Sequence, residues 1–259
     1  NVQEYIGESI KSVLHQSHEN WELLIVNDGS TDSTKDEILK FNDYRIKYFE
    51  QENKGVSTAR NYALEHMQGD YFCFLDADDL YSRNSLSSRL KVFFQEEQVI
   101  IVDGRVEVRD IITNKLIRVY QPEFKGNALS EFIKLNEKCF FGPSCMIRRL
   151  SKKTYKFKEG LTHGEDLLFY ISIANHGFYS YTKDIVMIYR SGNNSAMSNL
   201  QGLEEGYFDI YEELKKIPVI TNKDLAIFKK KVTSIMFKSY IGNGNIIPAI
   251  KVLLRYQLT

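Results

Sequence analysis

Along the first third of the chain, apolar positions alternate between helical spacing and short unbroken runs, which is the pattern of helices interleaved with buried strands. Ile6, Ile10, Val13 and Leu14 recur at helical spacing within 3–16, and a compact apolar run of strand length follows at 22–26. The alternation continues with a helix over 33–41, a strand over 46–49, a helix over 56–67 stopped by Gly69, and a strand over 71–75. Strand–helix–strand units at this pitch imply right-handed crossovers and a mainly parallel central sheet flanked by helices, an α/β fold. Asp28 and Asp76, each just past a strand, then emerge on the same edge of that sheet.

After a further helix at 86–94 the pattern changes. Shorter apolar segments at 99–102, 106–109 and 116–120, joined by polar turns, predict mixed or antiparallel pairing in this half. A helix at 166–174, a strand pair near 178–181 and 185–189, and a polar loop at 191–199 complete a first domain over 1–200. From Leu203 onward the pattern is wholly helical and Lys-rich, with a loop at 242–245, which predicts a helical C-terminal extension over 201–259.

At 259 residues and 43% hydrophobic, the chain is long enough to bury a sizeable core. Lys+Arg and Asp+Glu both number 34, so no net charge draws it to nucleic acid, although local patches remain open to it. Cys73, Cys139 and Cys145 are an odd set without regular spacing, which points to reduced, buried thiols and a cytoplasmic setting. No apolar run approaches the roughly 18 residues that span a bilayer, and no secretory leader is present. The chain opens without Met, so the expectation is that its true N-terminus lies upstream.

The chemistry concentrates where the aromatic run at 71–75 ends in Asp76, Asp78 and Asp79. Crowded carboxylates raise one another's pKa unless a counter-charge intervenes. A hard cation, Mg²⁺ or Mn²⁺, held by few carboxylates and completed by phosphates and water, would supply one. The competing reading is a helix cap, with Asp78 or Asp79 opening the helix that follows. An EF-hand loop is excluded, because Leu80 follows and the required Gly and terminal Glu are missing. His15 and His18 lack partners at zinc-site spacing.

Four ordered islands extend the picture: Val26-Asn27-Asp28-Gly29-Ser30, Asn53-Lys54-Gly55-Val56-Ser57-Thr58-Ala59-Arg60-Asn61, Leu75-Asp76-Ala77-Asp78-Asp79 and Gly164-Glu165-Asp166-Leu167. Together they resemble the inverting glycosyltransferases of the GT-A fold that carry a DXD motif, the family 2 type, over Asn1 to about Ser198. One departure is that the family opens with a buried strand ending in Pro-x-Tyr-Asn, whereas this chain begins at or near that Asn.

The resemblance implies a nucleotide-sugar donor, with uridine favoured because a carboxylate at Asp28 accepts the imide N–H of uracil. It places Lys54, Arg60 and Arg190 at the nucleotide or its diphosphate, with Gly55 allowing close backbone approach to it. Asp76 is shared between ribose and metal, Asp78 is the direct metal ligand, and Asp79 is a substitute for either. Asp166 is implied as the general base and Glu165 as its neighbour or an acceptor-binding group. The loop opening at Ser191 is implied to close over the donor. For Asp28 the alternative is a turn residue, for Lys54 and Arg60 a solvated helix face, and for the acid pair a helix cap.

On the acceptor side, the segment from Phe140 to Ser144 reads either as a sugar-stacking wall or as core, and His163 as a contact or a structural residue. The acceptor expected is a saccharide or lipid-linked saccharide hydroxyl. Phe228, Val232, Ile235 and Met236, interleaved with Lys229, Lys230, Lys231 and Lys238, suit either peripheral contact with an anionic inner-membrane face or packing on the domain or a second subunit as a homodimer. Two other functions remain open: a sugar nucleotidylyltransferase, for which 1–20 lacks the Gly-rich basic loop, and a non-catalytic nucleotide- or saccharide-binding protein of the same fold.

Overall fold

The computed structural model describes residues 1–151, 153–161, 163–192 and 199–257. The first helix, α1 (Ile6–Leu14), buries Ile6, Ile10 and Val13 on one face. Ile6 and Ile10 meet Ile38 of α2 (Thr34–Leu39), which closes a small core over the first strands. Strand β1 (Leu23–Asp28) pairs in parallel with β2 (Ile46–Gln51), in register from Leu23 opposite Ile46 to Asp28 opposite Gln51. Helix α3 (Val56–His66) follows, entered through Gly55 at φ +89°, a left-handed conformation that glycine adopts without strain.

The remaining strands form a second, six-stranded sheet in the order β3 (Tyr71–Cys73), β7 (Met146–Arg148), β5 (Val99–Asp110), β8 (Phe178–Ser191), β4 (Leu80–Tyr81), with β6 (Leu116–Tyr120) hairpinned onto β5. Helices α4 (Ser85–Gln95), α5 (Leu129–Ile133) and α6 (Glu165–Ile173) connect these strands. Among the described residues parallel pairing is confined to β1–β2 and β5–β8, and every other strand pair is antiparallel. The α/β order of the first third and the mixed pairing of the second half therefore both hold, while the strands as a whole are mixed rather than mainly parallel, because β3, expected to continue the parallel β1–β2 pair, pairs antiparallel with β7. The physical reason is the connections: a short turn such as 111–115 joins only antiparallel neighbours.

Two segments expected as separate strands are continuous. β5 runs through Asp103-Gly104-Arg105 with a register shift, because a side chain at Gly104 would lie 2.4 Å from Val186 Cγ1 and only glycine lets β8 approach there. The break suggested by Asp103 vanishes because its buried carboxyl is fully used. It accepts from Ser144 Oγ (2.6 Å), Gly104 N (2.7 Å), Tyr179 Oη (2.9 Å) and Tyr120 Oη (3.1 Å), while burial pushes its pKa up.

The C-terminal helices α7 (Leu200–Leu214), α8 (Asn222–Gly242) and α9 (Ile246–Gln257) share the main core. Leu203, Ile210, Phe228, Val232 and Met236 pack in one cluster with Phe132, Leu167 and Phe169. No helix among the described residues is long and apolar enough to cross a membrane. Among those residues β1 pairs only with β2, and β3 pairs along one edge only, with β7. Their free edges flank a cavity of about 1180 Å³, lined by Leu24, Val26, Met67, Phe72 and Phe74, with Arg60 and Asp76 also on its wall.

Candidate active site

The carboxyl end of β1 delivers Asp28 to the loop that opens α3. Its carboxylate accepts from Lys54 N (2.8 Å), Gly55 N (2.8 Å) and Gln51 Nε2 (2.7 Å), so it fixes the entry to the helix as well as facing the ligand edge. Three of roughly four lone-pair sites are occupied, which leaves room for one further donor. Beside it, the buried Asn27 accepts from Ser30 N (3.0 Å) and donates to Tyr48 Oη (3.1 Å), and Asn1 Oδ1 accepts from Thr31 N (2.7 Å). Lys54 is exposed at this loop.

Arg60 lies five residues beyond Gly55, roughly 7 Å along the helix axis at 1.5 Å per residue. Its guanidinium joins two islands distant in sequence: Nη1 donates to Glu165 Oε1, 105 residues from Arg60, and Nη2 to Asp76 Oδ1, 16 residues from it, both at 2.9 Å. The side chain is only 12% exposed and lies beside Phe157 and Phe74, with ring centres at 5.3 and 5.7 Å. Burial opposes its charge, but Asp76, Glu165 and Asp166 outweigh that and raise its pKa. An arginine held this way is a permanent cation, and the solvated-face alternative does not apply to it.

Asp76, Asp78 and Asp79 do not act alike. Asp79 turns inward and is 1% exposed; its Oδ1 accepts from Arg190 N at 2.8 Å, and burial lifts its pKa to about 8. It anchors β8 to the acidic turn, which makes it a poor substitute for either of the outer acids. Asp78 is partly buried, and burial together with the charge of Asp76 raises its pKa. Asp76 keeps 39% of its side chain exposed. The Arg190 guanidinium turns toward α1, with Nε on the Asp78 carbonyl, Nη1 on Glu8 and the Tyr5 ring 5.1 Å away. It thus braces the acidic turn from behind. The loop it begins falls mostly at 193–198, outside the described residues.

Glu165 and Asp166 occupy the first turn of α6, entered through Gly164 at φ +75°. Leu167 to Ile171 are buried beneath them, and this anchors the pair at the rim. Burial first, then the Glu165 charge, raises the Asp166 pKa to about 6, with Arg60 pulling the other way. Gly142 borders this acid: a Cβ there would sit 3.3 Å from Asp166 Oδ2.

The neighbouring rings are partly buried and pack against the core. Phe140 packs on Tyr170 (5.7 Å) and Phe141 on Tyr120 (5.1 Å). His163 backs onto α7, where a side chain at Gly206 would come within 2.8 Å of its Cβ, in keeping with a structural role.

Arg60, Asp76, Asp78, Glu165 and Asp166 thus form one electrostatic cluster, with Asp28 and Lys54 at the start of the same helix that carries Arg60. Sequence reasoning did not single out Glu8, Gln51 or the approach of Gly142 to Asp166. Glu8 is an ordinary polar position on the outer face of an amphipathic helix, and the dipeptide Gly142-Pro143 is the one local signal that could have marked a close approach. Among the described residues no three His, Cys, Asp or Glu side chains are grouped to hold a metal ion. The hard oxygens of Asp76 and Asp78, the latter's charge opposed by burial and by Asp76, nevertheless suit Mg²⁺ or Mn²⁺ whose other ligands come from phosphate and water.

Comparison with known proteins gives these features a family. The model of glycosyl transferase family 2 matches residues 1–154. An uncharacterized glycosyltransferase of Rickettsia bellii is 32% identical over 207 residues, which cover 78% of this chain but only 29% of that protein. A UDP-Glc:alpha-D-GlcNAc-diphosphoundecaprenol beta-1,3-glucosyltransferase of Escherichia coli, WfgD, is 31% identical over 203 residues, covering 77% of each. Residues 1–349 of Staphylococcus aureus TarS, solved with UDP-GlcNAc, superpose with a TM-score of 0.70 at 19% identity, covering 89% of this chain and 68% of that one, a likeness of fold. With more than half its length matched by the family's own model, and with the GT-A type of architecture around the acidic cluster, the chain belongs to glycosyl transferase family 2.

Proposed function

We propose that the protein transfers a sugar from a UDP-sugar to a hydroxyl of a saccharide or lipid-linked saccharide, with inversion at the anomeric carbon and with Asp166 as general base. The observation that carries this reading is the Arg60 bridge. It sets the Asp76 side of the site, where a nucleoside diphosphate would lie, at a fixed distance from the Glu165–Asp166 pair, where an acceptor would be deprotonated. Asp166 takes the acceptor proton as the acceptor oxygen forms its bond to the anomeric carbon. The bond from that carbon to the phosphate oxygen breaks, and its electron pair leaves with the diphosphate. A single displacement without a protein nucleophile inverts the centre.

Asp28 retains one acceptor site for a base N–H, and Lys54 brings positive charge to the same loop. The amino end of α3 favours the diphosphate. Asp76 and Asp78 would hold Mg²⁺ or Mn²⁺. When bound, the ion supplies Lewis-acid stabilisation of the departing diphosphate. Arg60 pairs with Glu165 and pulls the pKa of Asp166 down against burial. The names of two relatives support the donor and acceptor classes: TarS was solved with UDP-GlcNAc, and WfgD is named for UDP-Glc and a diphosphoundecaprenol-linked sugar. A cytoplasmic site of action, peripheral to the membrane, fits a lipid-linked acceptor.

Titration with UDP and GDP, each with and without Mn²⁺, tests the assignment. UDP should bind more tightly than GDP, and Mn²⁺ should strengthen UDP binding at least tenfold, with Asp78→Asn removing the metal effect. Indifference to both nucleotide and metal would reject it.

A further inference from the structure

Helices α8 and α9 form an antiparallel pair at the end of the described chain, and α9 is apolar on two faces. Ala249 and Val252 are fully buried, while Ile246, Ile247, Ile250 and Leu254 are 62%, 69%, 52% and 53% exposed. At 100° per residue these four fall within one arc of about 100°, so they form a continuous stripe rather than scattered residues. Large apolar side chains aligned on a surface mark an interaction site.

The charge of the same element says what covers it. From Asn222 to Gln257 there are seven Lys or Arg and one acid, Asp224, in a chain whose total is neutral, so the rest of the protein carries the balancing negative charge. A groove of about 430 Å³ runs between the two helices. Lys229, Lys230, Thr233 and Ser234 line it with two ammonium groups and two hydroxyls, and Phe237 and Leu253 give it apolar walls. Leu253 comes from α9 and the lysines from α8, so the cationic groove and the helix bearing the stripe lie side by side. Lys251, exposed, borders the stripe itself.

We propose that the α8–α9 pair docks the protein on an anionic phospholipid bilayer: the α9 stripe enters the headgroup–acyl boundary, and Lys229, Lys230 and Lys251 meet lipid phosphates. An amphipathic helix with cationic flanks behaves in this way, and neither of these helices need span the bilayer. A second copy is the less fitting occupant, because a two-fold interface through this face sets one strongly basic surface against another. The inference is independent of the catalytic assignment, since lipid binding is read without donor or acceptor.

The test is co-sedimentation of the full chain with phosphatidylcholine vesicles containing about 30% phosphatidylglycerol, against vesicles of phosphatidylcholine alone. Binding to the anionic vesicles is expected to be at least tenfold tighter, to weaken as salt is raised, and to fall at least tenfold in both Ile246→Ser/Ile250→Ser and Lys229→Glu/Lys230→Glu. Every altered side chain lies at the surface or lines the groove, so unchanged thermal unfolding is expected and confirms that the fold is kept. Asp166→Asn should bind vesicles like the parent. Equal partition to both vesicle types would overturn the proposal, as would a dimer in sedimentation velocity that Ile246→Ser/Ile250→Ser dissolves.

Discussion

Asp166 sits in a field set by burial and by the charges of Glu165, Arg60 and Asp76, and its behaviour follows from their signs. Burial and Glu165 lift its pKa to about 6 while Arg60 holds it down, so the carboxylate form needed by a base appears as the pH climbs through about 6. Under the proposed assignment kcat/KM rises across that range and levels above it. Arg60→Gln removes the restraining charge and should displace the limb to higher pH. Asp166→Asn should remove the limb and about 10²–10⁴ of the rate, with UDP affinity kept. A pH–rate profile of the three proteins checks both expectations.

Asp79, a carboxyl whose pKa is raised in the same direction, is read out in stability rather than rate. Its folded pKa of about 8, against an ordinary 3.8, means that the fold holds this proton more tightly than the unfolded chain does. That stabilisation is complete at acid pH and is lost as the pH rises from about 4 to about 8. Asp79→Asn keeps the shape and the acceptor for Arg190 N, so its unfolding midpoint should vary less with pH over that window. Denaturant melts at pH 5 and pH 8 measure the difference.

At the scale of elements, α7 holds α6 in place through a close approach. A methyl at Gly206 would lie 2.7 Å from the His163 carbonyl oxygen, so Gly206→Ala must push α7 away from the turn that presents Glu165 and Asp166. Overpacking of this kind costs roughly 1–3 kcal/mol, which for a chain of this size lowers Tm by a few degrees. Calorimetry should show that drop together with a lower kcat and unchanged UDP binding.

The elements readable in the sequence were those with either an amphipathic stripe or an isolated apolar run, such as α1, α3 and β1. β4 and β7, at two and three residues, are too short to show a period, and α5 hides in a polar stretch. β5 and β8 read as pairs of strands because Gly104, Lys183 and Asp184 interrupt the pattern. Only the three-dimensional partner, Val186 over Gly104, shows why the strand continues. In the candidate site, the islands marked Arg60, Asp76, Glu165 and Asp166 as residues to bring together, but the contact of Arg190 with Glu8 was not legible. Its partner Glu8 lies 182 residues away, and nothing local in either segment marks the pair.

Across the whole molecule, one continuous core joins the sheet to the C-terminal helices, whereas the β1–β2 ribbon stands apart from the six-stranded sheet across the cavity between β1 and β3. Asp28 rides on that ribbon and Asp76 on the opposite bank. Arg60, on the helix packed against β1, reaches across to Asp76, so one ion pair couples the two banks and sets how the halves of the proposed nucleotide cradle meet.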